Sequence, residues 1–89
     1  MIMMKKHYAY ILHCADDTYY CGYTTDISAR EKAHNSGKGA KYTRARRPVR
    51  MEYAEEFAEK SEAMRRECEL KKLSHAQKKD LCKNGGRAQ

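Results

Sequence analysis

Residues 8–14 and 18–24 each set large aromatic and aliphatic side chains on a β-branched background, and Ala15-Asp16-Asp17 lies between them. Two short strand-forming runs split by a polar turn predict a β-hairpin. Next comes a helical stretch over residues 27–35. Thr25 or Asp26 can cap its start by accepting an orphaned amide proton, and Gly37 can supply the left-handed residue that ends it. Val49, Met51 and Tyr53 alternate with Arg50 and Glu52, the period-two pattern of a third strand with one buried face. Ala63, Met64, Leu70 and Leu73 fall at helical spacing within residues 61–73. Ser74 and Gln77 then read as a capping box opening a last short helix toward Leu81. The expected order is β-β-α-β-α-α: an α+β (α/β) fold with a three-stranded antiparallel sheet, the smallest that stands alone, and flanking helices. Residues 1–7 read as an N-terminal extension, 8–82 as a single domain, and 83–89 as a disordered tail with nothing to bury.

Charge sharpens the picture. The chain carries a net +7 with a pI near 9.3, which favours a polyanionic partner and binding that weakens as salt rises. Composition alone fits nucleic acid and anionic membrane equally. The positive charge is densest over residues 37–50, where Lys38, Lys41, Arg44, Arg46, Arg47 and Arg50 occur with no acidic residue. This stretch reads as a mobile basic loop that contacts backbone phosphates. No apolar run is long enough to span a bilayer, and the first residues are too short in apolar length for a signal sequence. The four cysteines are widely spaced and form no Cys-x-x-Cys pair, so a reduced cytoplasm is expected. Cys14 and Cys21 read as buried small hydrophobes, and His7, His13 and His75 receive no role.

Arg30 and His34 lie one turn apart on the first helix, following the tyrosine-rich hairpin that carries Tyr10 and Tyr20. Phosphodiester cleavage needs such a set: a planar donor fork for phosphate oxygens, groups that position water, and a base working near neutral pH. In order, spacing and residue type, Tyr8-Ala9-Tyr10, Tyr20-Cys21-Gly22, Arg30, His34 and Glu67 within Ala63-Met64-Arg65-Arg66-Glu67 resemble the GIY-YIG nuclease domain. The stretch His34-Asn35-Ser36-Gly37-Lys38-Gly39-Ala40-Lys41-Tyr42-Thr43 is similar to that of the small standalone bacterial members. The first motif lacks its glycine; the second keeps both tyrosine and glycine.

The resemblance implies a metal-dependent endonuclease in which Tyr10, Tyr20, Arg30 and His34 are catalytic, Glu67 holds a divalent cation and Gly22 is the structural glycine. The cation would be magnesium, with manganese as substitute. Tyr10 or Tyr20 would position water or act as base, its phenol lowered by the metal and Arg30. The implied partner is nucleic acid, DNA ahead of RNA, with no membrane role and a monomer assumed. Two other readings stay open: a nucleic-acid-binding module that keeps the fold without cutting, and a scaffold bound through its sheet edge or basic face. Plain alternatives also stand for single residues, with Tyr10 and Tyr20 as packing residues and Glu67 in a structural ion pair. One geometric condition separates the readings. A two-residue turn puts Tyr10 and Tyr20 on opposite faces of the hairpin. A three-residue turn pairs Cys14 with Thr18 and puts them on one face. The catalytic reading requires the second, with Asp17 in the left-handed conformation that aspartate tolerates.

Overall fold

In the computed structural model, which describes residues 5–85, the hairpin closes through a three-residue turn. The Cys14 amide donates to the Thr18 carbonyl at 2.8 Å and the Asp17 amide to the Cys14 carbonyl at 3.0 Å. Asp17 takes φ 67°, and Asp16 Oδ1 accepts from the Thr18 hydroxyl at 2.6 Å and its amide at 3.2 Å. The two strands, β1 (His7–His13) and β2 (Tyr19–Thr24), therefore pair Tyr10 with Gly22 and Leu12 with Tyr20. Tyr10 and Tyr20 share a face, as the catalytic reading requires.

Helix α1 (Ile27–Asn35) starts where Asp26 accepts the Ala29 amide at 3.0 Å. It stops at Gly37, whose φ of +87° lets Gly37 donate to His34 O and Lys38 to Ala33 O, a Schellman closure. The basic stretch that follows differs from the expected loop, because Lys41–Arg44 forms a helical turn, α2, with Thr43 fully buried. Strand β3 (Arg50–Phe57), helix α3 (Lys60–Lys71) and helix α4 (His75–Asp80) complete the expected order. The Ser74–Gln77 capping box forms as read. A π-helical turn, Leu81–Gly85, runs into the segment expected to be tail, because Leu81 and Cys82 find the core. Residues 1–4 of the expected extension and 86–89 of the expected tail lie outside the described residues. No helix among the described residues is long and apolar enough to cross a membrane.

The sheet is antiparallel in the order β2-β1-β3, and helices cover both faces. Ala9, Ile11, Tyr19, Cys21 and Tyr53 pack with Leu70 of α3 on one face. Tyr10, Leu12, Cys14, Val49, Met51 and Ala54 pack with Tyr20 and Ile27 on the other. The single buried face expected for β3 is thus a pair of buried faces. Ile11 pairs with Tyr53 and Leu12 with Met51, so Glu52 is an extra residue, a bulge that sends Met51 and Tyr53 into different cores. On α3, Met64 is 38% exposed rather than part of the apolar stripe, which Ala63 and Leu70 form at 0%.

α1 also satisfies polar groups where β3 begins. Asn35 accepts the Val49 amide at 2.7 Å and donates to the Val49 carbonyl at 2.9 Å, and Glu31 accepts the Met51 amide at 2.8 Å. Val49 is 1% exposed, so Asn35→Ala strands two buried backbone groups. The variant is expected to lose about 1–3 kcal/mol of unfolding free energy, read from urea unfolding at unchanged m-value. A midpoint equal to that of the parent chain would refute the clamp.

Candidate active site

Tyr10 lies at the middle of β1 with its phenol laid across Gly22. A Cβ at position 22 would fall inside that ring, which accounts physically for a glycine here. The Tyr10 side chain is 2% exposed, and its hydroxyl lies 3.1 Å from His34 Nε2 in the last turn of α1. His34 is itself 1% exposed. Its other nitrogen, Nδ1, lies 2.8 Å from Thr43 Oγ1, and Thr43 donates to the Ala40 carbonyl at 2.9 Å. Gly39 lets the chain pass this close, since a Cβ there would sit 2.7 Å from His34 Cγ. The stretch expected to be mobile is therefore folded over the imidazole.

Tyr20 is half-buried, with its ring 5.4 Å from that of His34. Its ring also stacks on Tyr42 at 5.8 Å, and the Arg46 guanidinium rests 3.9 Å from the Tyr42 ring centre. Arg30 is exposed, and no hydrogen bond or ion pair ties its side chain to another described residue. The charges of Arg30 and Glu67 both reach the Tyr10 phenol, in opposite senses. The structure thus brings Tyr10, Tyr20 and His34 together, with Arg30 and Glu67 within electrostatic range of the Tyr10 hydroxyl.

Burial governs the protonation states. It pushes the Tyr10 phenol well above its ordinary value of 10, and the opposing pull of Arg30 does not overcome it. In the metal-free chain Arg30 alone does not lower the Tyr10 phenol, since a side chain sealed in the core cannot share its charge with water. Burial also lowers His34, and Arg30 adds to the effect, leaving a neutral imidazole near pH 7.

Glu67 follows Ala63 by one turn on the sheet-facing stripe of α3, with 14% of its side chain exposed. Lys71 Nζ, on a side chain that is itself exposed, lies 3.4 Å away, one turn on in the helix. No cluster of three or more His, Cys, Asp or Glu residues suited to a metal occurs among the described residues. A dedicated protein cage is absent there. A single carboxylate within electrostatic range of the phenol fits a magnesium ion held mainly by water and phosphate.

The six basic residues of the 37–50 stretch separate into two kinds. Arg46 donates to Tyr42 O at 2.8 Å and pairs with Asp16 at 3.1 Å. Arg47 donates to Arg44 O and Asn35 O, and Arg50 pairs with Glu52 at 3.0 Å. Lys38, Lys41 and Arg44 are exposed and make no side-chain hydrogen bond or ion pair among the described residues, which leaves them free for phosphate. Sequence reasoning missed Thr43, Gly39 and Asn35 as supports, because each acts on a partner brought near only by the fold. Gly39, in a run already broken by Gly37, was the one visible sign that the backbone must approach something closely.

Residues 6–80 match the model of the GIY-YIG catalytic domain. A UPF0213 protein of Staphylococcus haemolyticus is 59% identical over 75 residues, which cover 84% of this chain and 92% of the relative. A UPF0213 protein of Halobacterium salinarum is 56% identical over 75 residues, covering 84% of this chain and 97% of that one. Among solved structures, the solution structure of the E. faecalis protein EF2693 aligns with TM-score 0.59 at 46% identity, over 93% of this chain and 88% of the other. That of a Bacillus halodurans UPF0213 protein aligns with TM-score 0.53 at 54% identity, over 85% and 81%.

The buried His34 and the half-buried His13 should titrate in opposite directions. His34 is lowered, so its imidazole is expected to protonate only below the ordinary 6.5, and its burial costs stability increasingly as pH falls below that value. For His13, burial pulls the pKa down, but hydrogen bonds to Asp17 (2.7 Å) and Glu52 (3.2 Å) outweigh it and the net shift is upward. Its stabilisation is complete below 6.5 and is lost as pH rises through its raised value. An NMR titration of the ring protons checks both, and a His34 midpoint at or above 6.5 would contradict the buried neutral state.

Proposed function

Since the chain belongs to the GIY-YIG family, whose function is of nuclease type, we propose that it binds nucleic acid and hydrolyses phosphodiester bonds with the help of a divalent cation. The observation that carries this reading is the buried Tyr10–His34 hydrogen bond, set beside an exposed, unpaired Arg30. Arg30 presents a planar fork for two phosphoryl oxygens, a geometry that lysine cannot copy. Lys38, Lys41 and Arg44 would hold the flanking backbone phosphates by charge, without reading sequence.

Burial of the phenol argues against a standing Tyr10 phenolate at neutral pH in the metal-free chain. It does not exclude a relay. As water attacks phosphorus and the bond to the leaving sugar oxygen breaks, the water's proton passes to the Tyr10 oxygen while the Tyr10 proton passes to His34 Nε2, and the departing oxygen takes its proton from solvent, so no free phenolate forms. Tyr20, beside the imidazole, would line the water's position. Glu67 would hold the cation, magnesium or manganese, whose chemistry when bound is to neutralise phosphoryl charge and acidify its waters. DNA is the favoured substrate over RNA, the acting form is taken as a monomer, and four free cysteines support a reducing cytoplasm. The Glu67–Lys71 pair supports the second reading, a binding module that does not cut, because it gives the carboxylate a structural partner.

Cleavage of linear and branched DNA and RNA in magnesium tests the proposal. The parent chain is expected to cut at least one of them. Glu67→Gln and Arg30→Lys should each lower the rate about a hundredfold or more, with the Glu67→Gln affinity for nucleic acid unchanged. Tight binding with no cleavage in magnesium or manganese would leave the binding module as the function. Replacing Lys38, Lys41 and Arg44 together by alanine should flatten the dependence of log affinity on log salt by about 2–3, near 0.7–0.9 per lost phosphate contact. Arg46→Ala, which cuts an internal tie, should lower stability more than that slope; the reverse pattern would overturn the division of the cations.

A further inference from the structure

We propose that Thr43 is the positioning residue that fixes the tautomer of His34, holding the proton on Nδ1 so that the bare Nε2 faces the Tyr10 hydroxyl. The argument is a count of hydrogens. The Ala40 carbonyl can only accept, and Thr43 Oγ1 lies 2.9 Å from it, so the single hydroxyl hydrogen of Thr43 is committed there. Oγ1 then meets Nδ1 at 2.8 Å with lone pairs alone, and the ring nitrogen must be the donor. The Ala40 amide also donates toward Nδ1, at 3.4 Å, which favours the opposite tautomer, but it is a long bond set against the 2.8 Å contact with Thr43.

A neutral imidazole carries one N–H. With that hydrogen on Nδ1, Nε2 keeps its lone pair, and the contact at 3.1 Å is Tyr10 O–H donating to Nε2. Every bond then points the same way, from Tyr10 to His34 to Thr43 to the Ala40 carbonyl. His34 and Thr43 are 1% and 0% exposed, so no bulk water competes for either ring nitrogen. The opposite tautomer would place Nε2–H against the Tyr10 oxygen and leave the phenol proton without a nearby acceptor.

The supporting turn is built for this contact. α2 begins at Ala40 with no side-chain cap, and the Ala40 carbonyl accepts the Thr43 and Arg44 amides at 3.2 Å as well as the hydroxyl. Gly39 removes the Cβ that would hold this turn away from the ring. The basic stretch thus has a second task besides phosphate contact, which is to choose the direction of proton flow at Tyr10. Only that consequence rests on the nuclease reading, because the tautomer belongs to the free chain.

The test is a long-range proton–nitrogen NMR correlation of the histidine rings near pH 7.5, with neither metal nor nucleic acid added. The parent chain is expected to show His34 protonated at Nδ1 and unprotonated at Nε2. Thr43→Val should move the proton to Nε2 or give a mixture, and Thr43→Ser should restore the parent pattern. A parent spectrum with the proton on Nε2 would overturn the proposal whether or not any variant folds, and so would a Thr43→Val spectrum identical to the parent's. On a cleaved DNA substrate, Thr43→Val should lower kcat about tenfold or more with KM unchanged, and Thr43→Ser should recover it. An uncleaved substrate alongside the expected spectra would sink the nuclease reading and uphold the tautomer.

Discussion

Pairing Cys14 with Thr18 across a three-residue turn fixes the parity of the hairpin, and that parity decides which tyrosines can meet. Strand side chains alternate between faces, so a slip of one residue would send Tyr20 to the face occupied by Tyr19 and Cys21. The phenol of Tyr10 would then lie over a residue other than Gly22, and with a side chain there it could not lie flat. His34 reaches the phenol only because that ring is pressed against the sheet beside α1. Asp17, in a conformation few side chains accept, is thus a local choice of backbone with consequences two strands and a helix away.

The parts legible in the sequence are those whose causes are near in the chain. The Asp26 cap, the Gly37 stop and the Ser74–Gln77 box involve partners within five residues, and each forms as read. Turn length was legible by a different route, since the chemistry demanded one parity and the residues allowed it. α2 escaped notice because a charged run carries no apolar period, and what makes it fold is a buried hydroxyl nine residues from its imidazole partner. The β3 bulge was hidden for the opposite reason. Val49, Met51 and Tyr53 make a clean alternation, yet the extra Glu52 splits them between two cores, and Glu52 reaches His13 and Arg50 instead.

Within the site, identity was easier to read than state. Tyr10, Tyr20 and His34 meet, but burial raises the Tyr10 phenol in the metal-free chain, which favours the proposed relay over a standing base. Charge likewise divides unevenly. Half of the basic stretch is spent on the molecule's own carbonyls and carboxylates, which leaves a smaller free set than the count of cations suggests. A basic composition therefore measures the potential for binding phosphate, and the fold determines how much of it reaches the surface.

The two-faced sheet has a bearing on how such a chain can change over generations. Tyr10, Tyr20 and His34 belong to the face covered by α1 and α2, whereas the Leu70 face holds no residue that would touch a phosphate. Substitutions there can accumulate, and homologues can exchange one packing for another, without disturbing the proton path. Glu67 is the exception, for it is carried by the helix that covers that second face. If Glu67 holds a cation as proposed, drift in the α3 packing is tolerable only as far as that carboxylate keeps its place, and lineages that relax this helix would lose the cation before they lose the fold.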